Sequence, residues 1–187
     1  FGAKIKLSKK NNLPLTIMGS SNLKPIKYIE NKGSAQCKSS VMFSAMRTSG
    51  TTIIKAKKSR NHTELLSKYL DLPVHIKVNK NYDEIKVSKV KNIKPLNYNI
   101  PSDISSSAFF IVLTVLINNS ELLIKNVNIN PSRTGIITIL KKMGVKITFK
   151  NQKIYKGEKI ADINIKSPKI IRPINSPSKL NNKAIDE

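Results

Sequence analysis

GSAQCKSSVMFSAMRTSGTTIIKAKKSRNHTE, running from Gly33 to Glu64, decides how this chain is read. A polar turn, Gly33-Ser34-Ala35-Gln36, precedes an apolar segment in which Val41, Met42 and Ala45 recur at helical spacing. Ser34 or Gly33 can cap a helix running to about Arg47, and Ser49-Gly50 stops it. Thr51 to Ala56 is rich in β-branched residues and predicts a strand. A second polar turn, Ser59-Arg60-Asn61-His62, opens the next helix, with Leu65, Leu66 and Tyr69 on one face. Ser59 and Asn61 each offer a capping oxygen there, and Glu64 falls in the first turn, where the helix dipole favours an acid. Two helix starts bracketing one strand would place hydroxyls, an amide, a guanidinium and free backbone N–H groups at the same end of a layer. That is a site for an anion.

Working outward, Gly2 suits a helix C-terminal cap, and Lys4–Leu7 and Leu13–Ile17 read as a hairpin around the Lys9-Lys10-Asn11-Asn12 turn. Ile26–Ile29 is a short strand leading to Gly33. Asp71-Leu72-Pro73 ends the second helix, and Val74–Val78 and Glu84–Val87 alternate as another hairpin. The order then recurs. A helix covers Ile104–Ile117, opening at Ser105-Ser106-Ser107, with Asp103 as its cap. Glu121–Lys125 is a strand, Ser132-Arg133-Thr134-Gly135 opens a helix through Met143, and Val145–Phe149 with Ile160–Ile165 forms a hairpin.

Aligned, Ser59-Arg60 matches Ser132-Arg133, while Gly2, Asp71 and Gly144 occupy one point in three successive copies. The copies are on the order of seventy residues apart, too long for the common solenoids. Each reads strand–helix–strand–helix–strand–strand, a unit whose sheet must be covered by packing. The fold class expected is α/β (α+β), built from repeated βαβαββ units in two domains. The Asn97–Ser102 segment, containing Pro101, is the expected crossover, so residues 1–98 close the first domain and 99–187 begin the second.

Composition narrows the function. With 187 residues and 39% hydrophobic content the chain can bury a core. A single Cys37 excludes an internal disulfide framework and, with only His62 and His75, argues against zinc. The net charge of +23 suggests nucleic acid. Yet only Arg47, Arg60, Arg133 and Arg172 supply guanidinium forks, and aromatics are 5% with none interleaved in a basic cluster. Surface lysines account for the charge, which would still steer an anionic small substrate. Ala108–Ile117 falls far short of the ~20 apolar residues of a membrane span and reads as a buried core helix. No signal peptide is visible, and the absence of an initiator Met leads to the expectation that the chain starts inside a larger protein.

Gly33-Ser34-Ala35-Gln36-Cys37-Lys38-Ser39 and Ser59-Arg60-Asn61-His62-Thr63-Glu64 are followed by Pro101-Ser102-Asp103-Ile104-Ser105-Ser106-Ser107-Ala108-Phe109-Phe110. Then come Asn130-Pro131-Ser132-Arg133-Thr134-Gly135, Met143-Gly144 and the closing Ile185-Asp186-Glu187. In these motifs, their order and their spacing the chain resembles the 5-enolpyruvylshikimate-3-phosphate synthase family. It departs at Cys37, where Val is usual, at Asn61, where Asp is usual, and at Ser102, where Gly is usual and where Ser would stiffen the crossover.

The resemblance implies a two-domain transferase that joins phosphoenolpyruvate to the 5-hydroxyl of shikimate 3-phosphate and releases phosphate. It implies no cofactor and no metal, no nucleic-acid or membrane partner, a cytoplasmic location and a monomer when full length. Ser34, Ala35, Gln36, Ser59 and Arg60 would hold shikimate 3-phosphate, Gln36 also touching phosphoenolpyruvate. Asp186 would contact shikimate 3-phosphate and act as the catalytic base, since a neutral hydroxyl attacks poorly without losing its proton. Lys38 reads either as added charge or as a solvated lysine, His62 as a structural first-turn residue, and Ser132 and Arg133 as structural or interdomain. The family's Lys-Ser-Arg constellation would precede Phe1 and its Lys-Glu-xxx-Arg stretch would follow Glu187, so the chain alone is expected to be inactive. Two alternatives stand beside this reading: a UDP-N-acetylglucosamine enolpyruvyl transferase of the same architecture, and a basic nucleic-acid-binding module with steeply salt-dependent affinity.

Overall fold

The computed structural model describes residues 1–8, 13–181 and 183–184. The Lys9–Asn12 turn and the closing Ile185-Asp186-Glu187, with the expected base Asp186, lie outside the described residues. The chain divides into two units, Phe1–Pro95 and Leu96–Glu187.

The first unit begins with an antiparallel hairpin of β1 (Lys4–Leu7) and β2 (Leu15–Met18). β3 (Lys27–Glu30), α1 (Ala35–Ala45), β4 (Thr51–Lys57), α2 (His62–Tyr69), β5 (Val74–Val78) and β6 (Tyr82–Ser88) follow. The sheet runs β3-β4-β6-β5, with β3 parallel to β4 and the other pairs antiparallel. On β4 the two-residue period turns Thr52, Ile54 and Ala56 inward, beside Ile85 and Val87 of β6. Met42 and Ala45 of α1 close this core from the helical side. Burial of each larger aliphatic side chain contributes about 1.5–3 kcal/mol, which keeps α1 on the sheet.

Helix α2 departs from expectation. Leu66 and Tyr69 remain 39% and 47% exposed, and the buried positions are Glu64 and Ser67. A carboxylate is drawn inward there because a buried cation on α1 meets it, as described below.

The second unit repeats the order. It contains α3 (Ile104–Leu116), β7 (Glu121–Asn128), α4 (Gly135–Lys142), β8 (Lys146–Tyr155), β9 (Glu158–Lys166) and the short α5 (Ser178–Asn181). Its sheet runs β7-β9-β8. Ser102 makes an isolated parallel bridge to Val127, so the residues before α3 lie beside β7 as β3 lies beside β4. The first strand of the unit is thus reduced to one bridge. Ser102 is fastened there by its N–H to the Asn126 carbonyl at 2.8 Å, by the Asn128 N–H to its own carbonyl at 2.9 Å, and by its hydroxyl to the Lys125 carbonyl at 3.0 Å. The backbone N–H of Asn99 donates to the Tyr155 hydroxyl at the end of β8, and the Tyr98 ring lies 5.4 Å from that of Tyr155.

Ile111, Val127, Ile137, Leu140, Ile163 and Ile165 form the centre of the second core. Helix α3 is not apolar-buried all round. Ile104, Ala108, Ile111 and Val115 are inside, but Phe109, Phe110 and Leu116 are 78%, 61% and 66% exposed, because the sheet covers only one face of the helix. Asp71 and Gly144, placed at matching points by the repeat, both follow a helix with left-handed φ, 53° and 95°. Among the described residues no helix is long and apolar enough to cross a membrane.

Candidate active site: two helix starts at one sheet edge

Parallel pairing of β3 and β4 delivers their two following turns to the same end of the first unit's sheet. The first turn is organised by Glu30, the last residue of β3. Its carboxylate, 4% exposed, accepts the Lys32 N–H at 2.9 Å and the Gly33 N–H at 2.8 Å. Burial pushes this carboxyl up, but the N–H groups of Ser34, Lys32 and Gly33 and the Lys38 ammonium outweigh that and hold it below its ordinary value. Gly33 takes φ +78°, the left-handed region, and a Cβ there would meet the Lys58 carbonyl at 3.3 Å. The turn is therefore tight in itself and pressed against the second turn.

Ser34 caps α1 as expected, its hydroxyl oxygen accepting the Cys37 N–H at 3.2 Å. The hydroxyl proton can still be donated outward. The expectation of generally free backbone N–H groups is corrected here. Glu30 consumes those before the helix, and Ser34 takes those of Cys37 and, through its carbonyl, Lys38. Among the described residues the amides of Ala35 and Gln36 are left as the helix's donors for an incoming anion. Gln36 itself is exposed.

The second turn follows β4. Asn61 stands at the cap of α2 but makes no side-chain capping bond, contrary to the expectation for Ser59 or Asn61. The Ser59 hydroxyl oxygen is buried without a hydrogen-bond partner among the described residues, and Arg60 is half-buried.

Three contacts join α1 to α2 and to the turn before it. Lys38, read as a possible solvated lysine, is 2% exposed; its ammonium lies 2.5 Å from Glu64 Oε1 and donates to the Arg60 carbonyl at 2.8 Å. The Ser39 and Thr63 hydroxyls are hydrogen-bonded at 2.7 Å. Ser34, Ala35 and Gln36 thus stand at the start of the helix whose Lys38 is bonded directly to the Arg60 carbonyl of the second turn. Two cavities open elsewhere, one near Asp71 and Lys94 in the first unit and one near Ile129 and Lys153 in the second. Neither is walled by the two turns.

The second unit holds a matching pair of turns in a different electrostatic state. Asp103 caps α3, its Oδ2 accepting the Ser106 N–H at 3.0 Å and the Ser106 hydroxyl at 3.1 Å. Its Oδ1 lies 2.8 Å from Arg133 Nη1, and the same guanidinium donates to the Ser105 hydroxyl. Ser132 is turned toward Asn130 Oδ1, to which its N–H donates at 2.9 Å and its hydroxyl at 2.7 Å. Ser132 and Arg133 are thereby structural within their unit. Sequence reasoning missed Glu30 and the Lys38–Glu64 pair. The faint signals were an acid just ahead of Gly33 and a charge of each sign in the first turns of consecutive helices.

A sequence model of the family described as EPSP synthase (3-phosphoshikimate 1-carboxyvinyltransferase) matches residues 1–175. The chain is 41% identical over 162 residues to the 3-phosphoshikimate 1-carboxyvinyltransferase of Caldicellulosiruptor saccharolyticus, covering 86% of this chain and 37% of that protein. It is 39% identical over 189 residues to the enzyme of that name from Hydrogenovibrio crunogenus, covering 100% of this chain and 42% of the relative. The solved structure of EPSP synthase from Acinetobacter baumannii superposes with a TM-score of 0.84 at 35% identity, over 99% of this chain and 41% of that one. The chain thus spans about two-fifths of the length of the curated relatives it matches.

Proposed function

Because the chain belongs to the EPSP synthase (3-phosphoshikimate 1-carboxyvinyltransferase) family, we propose that it supplies the shikimate 3-phosphate half-site of an enolpyruvyl transferase. The reaction joins the 5-hydroxyl oxygen of shikimate 3-phosphate to C2 of phosphoenolpyruvate while C3 gains a proton. The tetrahedral intermediate, in which C3 is a methyl group, then loses one of that carbon's protons and the phosphate from C2, leaving the enolpyruvyl ether. Ser34, Ala35, Gln36, Ser59 and Arg60 hold shikimate 3-phosphate, and Gln36 also reaches phosphoenolpyruvate. Asp186 takes the proton of the 5-hydroxyl.

One observation carries this reading: Lys38 of α1 bonds the Arg60 carbonyl and Ser39 bonds Thr63 of α2, so the Ser34–Gln36 and Ser59–Arg60 motifs lie at one end of the sheet. There the α1 amides of Ala35 and Gln36, the Ser34 hydroxyl proton and the Arg60 fork can converge on a dianion. Such a site works by positioning and by electrostatic complementarity to charge. The same reading has the full-length enzyme act as a cytoplasmic monomer without a nucleic-acid partner.

The test is phosphate release from phosphoenolpyruvate by the full-length protein. Release is expected with shikimate 3-phosphate and not with UDP-N-acetylglucosamine. The reverse outcome would assign the sugar-nucleotide reaction instead.

A further inference from the structure

The ammonium of Lys38 is buried in the seam between α1 and α2, and burying a charge there needs a reason. An ion pair taken out of water gives little or no stability over an apolar pair of similar volume. Glu64 is held for this lysine: its Oε1 meets Nζ at 2.5 Å, while its Oε2 is buried without a hydrogen-bond partner among the described residues. What an apolar pair could not do is donate to the Arg60 carbonyl, which Lys38 does at 2.8 Å.

That carbonyl lies just outside α2, whose hydrogen-bond ladder begins one residue later with the Leu65 N–H bonded to the Asn61 carbonyl. The peptide joining Arg60 to Asn61 is therefore oriented from α1, by a side chain two residues beyond Gln36. Rotating this peptide changes ψ of Arg60 and tilts the backbone that aims its side chain.

We propose that Lys38 is a positioning residue that sets the direction in which Arg60 presents its guanidinium to a phosphorylated ligand, with Glu64 holding the ammonium in place. The inference rests on the reading of Arg60 as a shikimate 3-phosphate contact. The Ser39–Thr63 hydroxyl pair separates this role from simple helix packing, since it joins the same two helices without touching Arg60.

The experiment compares full-length K38M/E64L, S39A/T63V and R60A variants by melting temperature and by KM and kcat for shikimate 3-phosphate. K38M/E64L is expected to melt near the wild type while KM rises about tenfold and kcat changes by less than about threefold, the signature of lost binding. S39A/T63V is expected to melt lower with KM unchanged. If K38M/E64L does not fold, K38Q/E64Q, whose shortened side chain falls away from the Arg60 carbonyl, is read the same way. KM within about twofold of the wild type in the folded Lys38 variant, alongside a raised KM in R60A, overturns the positioning role alone. An unchanged KM in R60A overturns the assignment of Arg60 as a contact, and this inference with it.

Discussion

Arg133 Nη1 lies 2.8 Å from Asp103 Oδ1, so the guanidinium just ahead of α4 is neutralised by the carboxylate that caps α3. In the first unit the equivalent cap is Ser34, which carries no charge, and Arg60 stands at the place of Arg133. The two units share a backbone plan and differ in the charge of the residue that caps the first helix. Putting a carboxylate at the first cap should therefore close the first site from within. S34D keeps a good helix cap and is expected to weaken shikimate 3-phosphate binding by more than about tenfold relative to S34N, which caps equally well without charge. Calorimetric titration of both variants checks this, and equal affinities would count against it.

The Asp103 pair also sets a pH dependence. Burial raises this carboxyl, but the Ser106 N–H, the Arg133 guanidinium and the Ser106 hydroxyl outweigh it, and the net direction is down. Glu30 is shifted the same way. A group whose pKa is depressed on folding contributes stability above its unfolded value and loses it as pH falls through the folded one. Stability should thus fall below about pH 4, and the fall should be shallower in D103N. Urea midpoints measured across the acid range give the slopes directly.

Glu30 offers a test of the first turn. E30A removes a buried acceptor from at least two backbone donors, Lys32 and Gly33. The expected cost is about 2–4 kcal/mol, visible as a lower denaturation midpoint. E30Q keeps one acceptor oxygen and should cost less.

Gly33 allows a smaller, steric test. At φ +78° and with the Lys58 carbonyl 3.3 Å from a Cβ position, G33A is expected to cost about 1–2 kcal/mol and to push the two turns apart. Thermal melting measures the first effect, and a raised KM for shikimate 3-phosphate the second.

For the buried pair, either K38M or E64L leaves an uncompensated charge and should cost about 3–5 kcal/mol, whereas K38M/E64L should cost much less than either. A double-mutant cycle by chemical denaturation checks this ordering. Additive losses would mean that the two charges do not depend on each other.

Much of this protein was legible in its residues. The βαβαββ order, the Ser34 cap, the Asp103 cap and the left-handed residues after the helices are local matters, decided by side chains within a turn of the backbone they serve. So are the paired Ser-Arg turns that carry the family likeness. Tertiary structure alone decided that α2 turns Glu64 inward instead of Leu66, that Lys38 is a buried strut, and that Glu30 consumes the turn amides. The reason is physical. A charged side chain goes to the surface unless a partner waits in the interior, and whether one waits depends on elements distant in sequence that meet only when parallel strands set two helix starts side by side.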